Sequence, residues 1–193
     1  QDPESITLSA PRMEHGKSLM ASLKDRHSSR SFDPEKELPL EILSDLLWAA
    51  TGINRPDSGR ITAPSAHNWQ EIDVYVAMKR GLFLYNTKKH SLDPIVSADI
   101  RKYCGLQPFV KDAPIVLVFV ADFSKMDTNE NVNVFYSATD TGYISQNVYL
   151  FCSSENLSTV VLGGINKKEL AKQMNLKAQQ RIILSQPVGY AKQ

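Results

Sequence analysis

The sequence predicts an α+β fold in one domain, with helices packed around a mainly antiparallel sheet, and three observations carry that prediction. Segments of helical periodicity are mixed with hairpin-linked strands and do not alternate with them regularly, which argues against repeated βαβ units. The run "PIVLVFVAD", Pro114 to Asp122, is β-rich and apolar on both faces, the pattern of a central strand covered on two sides. At 193 residues, with a 42% hydrophobic share spread along the chain, the protein suits one substantial core and not two.

The elements are read in chain order. Residues 1–15 are a polar, Pro-containing leader, and residues 16–193 are the domain. A processed export signal and a trimmed end would both give a chain beginning at Gln1. "GKSLMASLKDR" places Leu19, Met20 and Leu23 on one face of a first helix. "PLEILSDLLWAATG" forms a second, with Pro39 near its start and Gly52 just past its end. Thr51 to Gln70 is dense in Gly, Pro, Asn, Asp and Ser and reads as a loop, of a length more often functional than idle.

"EIDVYVAM" alternates, with Ile72, Val74, Val76 and Met78 on one face, then "KRG" turns the chain into "LFLYN" and "SLDPI" supplies the next edge. Asp99 to Gly105 reads as a short helix. Phe135, Ala138, Ile144, Val148 and Phe151 mark a long, largely buried helix that stops at Asn156. "LSTVVLGG" is a strand closing on two glycines, "NKKELAKQMN" a helix and "RIILSQPVGY" a final strand.

Charge and composition exclude several classes of function. With 22 Lys+Arg against 21 Asp+Glu the chain has no long-range field for nucleic acid or an anionic bilayer, so any basic cluster needs a local reason. No apolar run approaches the roughly 20 residues that span a membrane. Two cysteines, Cys104 and Cys152, and four scattered histidines give neither a disulfide framework nor metal-ligand spacing, so no metal site is expected. No GxGxxG, GxxxxGK[ST] or GxSxG is present.

Three stretches carry chemistry. In "DRHSSRSFD", Arg26, Ser28 and Arg30 share parity, so an extended segment would point all three to one side, where two guanidinium forks and a hydroxyl could grip an anion. The same residues at a helix C-terminus could equally complement its dipole in water, and spacing alone does not decide. Gly163 and Gly164, directly after an apolar strand, permit close approach to a flat ligand or simply turn the chain. "APSAHNWQ" combines small residues, amides and an aromatic ring in a way that suits the edge of a planar heterocycle, or a well-bonded turn.

In this order the three stretches, with "LLWAATGINRPD" and the long helix around "DTGYISQNVYLF", resemble the FMN-dependent nitroreductase family from the first helix to the last strand. The resemblance implies a nitroreductase-like fold and a homodimer with FMN at its interface. Arg26 and Ser28 match positions that hold the FMN phosphate and ribityl end, Arg30 a basic position near the pyrimidine edge, and His27 a further contact. Pro64, Ser65 and Ala66 match a segment that reaches the flavin from the other subunit, with Asn68 close by. Gly163 and Gly164 match the segment near the reactive ring nitrogen.

The activity implied is ping-pong: hydride passes from NADH or NADPH to FMN, then to a nitroaromatic, quinone or related small acceptor. No protein nucleophile or general acid is required, so no catalytic residue is assigned. Family habit is cytoplasmic.

Three departures are visible. Relatives carry basic residues after the last strand, whereas Lys192 is the one cation following Gly189. His67 stands where nitroreductases usually have a smaller residue. "GLFLYNTKKHSLDPI" resembles instead the thiazole/oxazole-forming dehydrogenases, which oxidise azolines of peptides. An FMN-dependent azoline dehydrogenase and a flavin-binding protein without turnover are therefore the alternatives.

Overall fold

The computed structural model describes residues 4–192; residues 1–3 and 193, the outer ends of the leader and the domain as read from the sequence, lie outside it. The strands are β1 (Ile6–Thr7), β2 (Ile53–Arg55), β3 (Arg60–Ile61), β4 (Ile72–Met78), β5 (Gly81–Asn86), β6 (Ser91–Val96), β7 (Ile115–Asp122), β8 (Ser158–Thr159) and β9 (Gln180–Gly189). The helices are α1 (Leu19–Asp25), α2 (Leu40–Thr51), α3 (Glu130–Ser154) and α4 (Lys167–Gln173). Seven strands form one sheet in the order β1-β6-β5-β4-β7-β9-β8, and every pairing in it is antiparallel. β2 and β3 form a separate hairpin in the loop after α2.

The sheet is covered on both faces, which is why β7 is apolar throughout. On one side Leu43, Leu46, Leu47 and Ala50 of α2 and Ile144, Val148 and Cys152 of α3 pack on Val74, Val76, Leu117 and Phe119. On the other, Leu170 and Met174 join Ile100, Cys104 and Val110 against Ala77, Val116, Val118 and Val120. The alternating side chains of β4 thus divide between two cores.

The stretch before α1 is fastened at several points. β1 pairs with β6, and Leu8 is buried in the first core. The Arg12 backbone N–H donates to Asp45 Oδ1 at 2.9 Å, and its guanidinium meets Oδ2 at 2.6 Å.

Three sequence expectations are corrected, and the direction of the α1 face is added to them. Asp99 to Gly105 holds only a single 3-10 turn, Arg101–Tyr103, because Gly105 and Pro108 leave room for no more. α1 turns its apolar face outward: Leu19, Met20 and Leu23 are exposed, and Ser22 is the buried residue, its carbonyl accepting from Ser153 Oγ at 2.8 Å. In α3, Phe135 is 64% exposed and Ala138 is also on the outside. Residues 135 and 138 belong to an outer apolar stripe, while the inner one begins with Asn133, Ser137, Asp140 and Thr141. "LSTVVLGG" pairs only at β8 and at a bridge from Leu162 to Ser185. The register puts Val160 opposite Pro187, which has no N–H to donate, so the ladder breaks there.

Candidate functional site

The segment after α1 runs extended from Arg26, whose N–H caps the Ser22 carbonyl. Arg26 lies over the Tyr149 ring at 5.2 Å from the centroid, and Ser28 Oγ stands 2.9 Å from the Tyr149 hydroxyl. His27 and Ser29 line a recess of about 230 Å³ together with Tyr149, Lys17, Asp25, Asn156 and Ser158. The Ser29 N–H donates to the Thr159 carbonyl at 2.9 Å, so the segment lies along β8.

Tyr149 joins this segment to the glycine pair. Its hydroxyl accepts the Val161 N–H at 2.9 Å, two residues before Gly163. Between Tyr149 and Ser28 either hydroxyl can be the donor, and Ser28 remains exposed. His27 Nδ1 stands 2.8 Å from the Asp25 carbonyl and must be the donor, so Nε2 is the acceptor of the neutral ring. Among the described residues neither Arg26 nor Arg30 takes part in an ion pair, and Arg30 is exposed. Both guanidinium groups therefore keep donors free of any carboxylate among the described residues.

Neither Gly163 nor Gly164 has a positive φ, and a methyl group on either would meet only ordinary contacts, with Leu184 at 3.7 Å and with Gln107 at 3.4 Å. Nothing inside the chain demands glycine there. Both are exposed, and what they present is bare backbone. Gln107 beside them has a buried Oε1 without a hydrogen-bond partner.

"APSAHNWQ" lies elsewhere on the molecule. Pro64, Ser65, His67 and Asn68 line a recess of about 440 Å³ with Arg55 and Arg60 of the β2–β3 hairpin. His67, Asn68 and Gln70 have φ of 51°, 56° and 48°, conformations that cost roughly 1–3 kcal/mol each and need support from their surroundings. Support comes from Glu71 and Asp140: Ser65 Oγ donates to Glu71 Oε2 at 3.2 Å and the Ala66 N–H to Asp140 Oδ2 at 2.9 Å. The Trp69 and His67 rings lie 4.4 Å apart, with Tyr136 edge-on to both.

Asp140 and Tyr149 are nine residues apart on one helix, which at 1.5 Å per residue separates them by about 13 Å. One chain therefore brings Arg26, Ser28 and the segment leading to Gly163 and Gly164 together, and holds Pro64, Ser65, Ala66 and Asn68 apart from them. None of the described recesses is lined by both groups.

Sequence reading missed Tyr149, Gln107, Glu71 and Asp140. Tyr149 sits inside an apolar helical stretch and looks like core, and its role depends on which two loops fold over it. Asp140 carried the better signal, being an acidic residue on the buried stripe of a helix.

Comparison with known proteins gives one family. The model of the nitroreductase family matches residues 23–190. A solved structure of a candidate nitroreductase from Ralstonia eutropha JMP134 is 42% identical, with a TM-score of 0.94 over 99% of this chain and 91% of that one. A candidate nitroreductase of Methanocaldococcus jannaschii is 28% identical over 96% of this chain and 97% of its own length. At 19% identity, a chain of the Escherichia coli microcin synthetase McbBCD complex, solved with truncated pro-MccB17 bound, has the same fold, with a TM-score of 0.76 over 97% of this chain and 78% of that one.

Proposed function

This chain belongs to the nitroreductase family, and we propose on that premise that it is an FMN-dependent oxidoreductase. It takes hydride from NAD(P)H and delivers it to a nitroaromatic, quinone or related small acceptor. The observation that carries the reading is the corner at Tyr149, where an arginine without an acidic partner and an exposed serine meet the segment that leads through Val161 to two exposed glycines. These residues fit FMN: charge-assisted donors for a phosphate, and open backbone against which a flat ring can lie. FMN, when bound, supplies the redox chemistry by accepting hydride and passing it on.

The chain's own residues bind and tune. Arg26 and Ser28 hold the phosphate and ribityl end, with Tyr149 fixing both. His27 offers a further contact through Nε2. Arg30 supplies positive charge beside the ring, where it stabilises negative charge that appears on reduction. Gly163 and Gly164 let the ring approach the backbone.

A homodimer completes the site in this reading. Leu19, Met20 and Leu23 of α1 and Val134, Phe135 and Ala138 of α3 expose apolar surface suited to a second copy. The partner would bring the loop at Pro64, Ser65, Ala66 and Asn68 to the flavin bound by the first chain, which accounts for their separation within one chain.

Azoline oxidation is the second reading, favoured by the β5–β6 sequence "GLFLYNTKKHSLDPI" and by the likeness of fold to the microcin synthetase chain. Steady-state NADPH oxidation separates the two. Parallel double-reciprocal lines with a quinone or nitroaromatic acceptor support the leading reading. No turnover with either, together with oxidation of an azoline-containing peptide, favours the second.

A further inference from the structure

Beneath the strained loop lie two carboxyl groups that the proposed activity does not use. Glu71, directly before β4, is 0% exposed, and Asp140 of α3 is also buried. They line one cleft with Ile61, Ile72 and Ile144, and its free volume of about 10 Å³ is room for one water at most. Among the described residues neither meets a lysine, arginine or histidine. Both are tied to one loop, Ser65 bonding Glu71 and Ala66 bonding Asp140, and both line the same narrow cleft. Two ionised carboxylates so placed, away from water and with no cation, repel strongly, and one of them retains a proton.

The hydrogen-bond inventory says which atom carries it. Glu71 Oε2 accepts from Ser65 Oγ, which itself accepts the Gln70 N–H at 2.8 Å. Asp140 Oδ2 accepts the Ala66 N–H. Glu71 Oε1 is buried and has no donor facing it. A proton on Oε1 would give this orphaned oxygen a donor role toward the neighbouring carboxylate of Asp140.

We propose that Glu71 and Asp140 hold one proton between them, and that this shared proton is the clamp that fixes Ser65, Ala66 and Gln70 and so holds the strained turn through His67 and Asn68. Glu71 is thus a positioning residue for the loop. Burial, and then the neighbouring Asp140 charge, push the Glu71 carboxyl above its ordinary range, in keeping with a retained proton. Because the folded-state value is raised, the clamp is complete at low pH and is lost as pH rises through that value. Asp140 is the charged group that faces Glu71, and the remaining walls of the cleft are apolar or neutral. The clamp belongs to this chain alone and stands whether or not the protein binds flavin.

Amide hydrogen exchange of Ala66 and Gln70 in the full chain tests it, with infrared difference spectroscopy. The wild type should show the band of a protonated carboxylic acid that is absent in Glu71→Gln. Its protection at the two amides, corrected for intrinsic exchange, should fall at least tenfold as the band titrates away with rising pH. Glu71→Gln, whose amide donates to Asp140 without titrating, should keep that protection at every pH. No protonated-acid band, or a wild-type protection that does not change as the band titrates, overturns the proposal. A colourless protein that cannot be reconstituted with FMN would sink the flavin reading and leave both measurements intact.

Discussion

The Tyr149 hydroxyl stands 2.9 Å from Ser28 Oγ, and through it a helix buried in the first core fixes a side chain in the segment after α1. The same hydroxyl accepts the Val161 N–H, so one phenol sets the spacing between the basic segment and the glycine pair. Tyr149→Phe removes both bonds while keeping the ring under Arg26. We expect FMN affinity to fall by about five- to tenfold, the equivalent of one hydrogen bond, with little change in melting temperature. Fluorescence titration of FMN onto the apoprotein measures it, and unchanged affinity would contradict the bridging role.

Arg26 and Arg30 should separate in their effects. Arg26→Ala should weaken FMN binding by roughly ten- to a hundredfold, as expected for a lost charge-assisted bond. It should spare riboflavin, which has no phosphate. Arg30→Ala should also lower the flavin reduction potential, since a cation beside the ring favours the reduced, more negative form. Titrations with both ligands and a spectroelectrochemical potential check these. Equal losses for FMN and riboflavin in Arg26→Ala would remove the phosphate assignment.

The outer stripes of α1 and α3 should govern oligomeric state. Met20→Glu combined with Phe135→Glu places two charges on the exposed apolar surface, where Met20 is 74% and Phe135 64% accessible in the single chain. Light scattering should report a dimer for the wild type and a monomer for the double variant, with FMN affinity lost alongside. A monomeric wild type that binds FMN tightly would show that the site does not need a second subunit.

Acid should destabilise the protein through His90. Its Nε2 lies 3.0 Å from the Ser9 carbonyl and its Nδ1 2.8 Å from the Tyr85 hydroxyl, contacts that a neutral ring satisfies with Nε2–H donating and Nδ1 accepting. Burial holds its pKa below the usual value. The unfolded chain then binds a proton that the folded one does not, so stability is full above the ordinary histidine value and falls as pH drops below it. Urea unfolding at successive pH values should show this slope. His90→Asn, which tolerates the φ of 47° at this position, should flatten it.

Much of the fold is legible because its signals are local. The alternation of β4, the apolar run of β7 and the proline and glycine bounding α2 each identify an element within a dozen residues. What the sequence leaves open depends on partners distant along the chain. Leu19, Met20 and Leu23 mark a helical face correctly but not what covers it, and in the single chain nothing does. Phe135 and Ala138 obey helical spacing on the outer side of α3, because its inner stripe is polar where Asp140 and Ser137 find hydrogen-bond partners. The break after β8 requires knowing that Val160 falls opposite Pro187. In the site, parity expects Arg26, Ser28 and Arg30 on one side; the structure sets Arg26 and Ser28 against Tyr149, a residue the spacing does not point to.

The visible spectrum of the purified protein, reconstituted with FMN and then mixed with NADPH without oxygen, tests the central claim most directly. The flavin reading predicts a yellow protein with the shifted absorption of bound FMN that bleaches on addition of NADPH or NADH, and regains its colour when a quinone is added. A protein that stays colourless after incubation with FMN would contradict it.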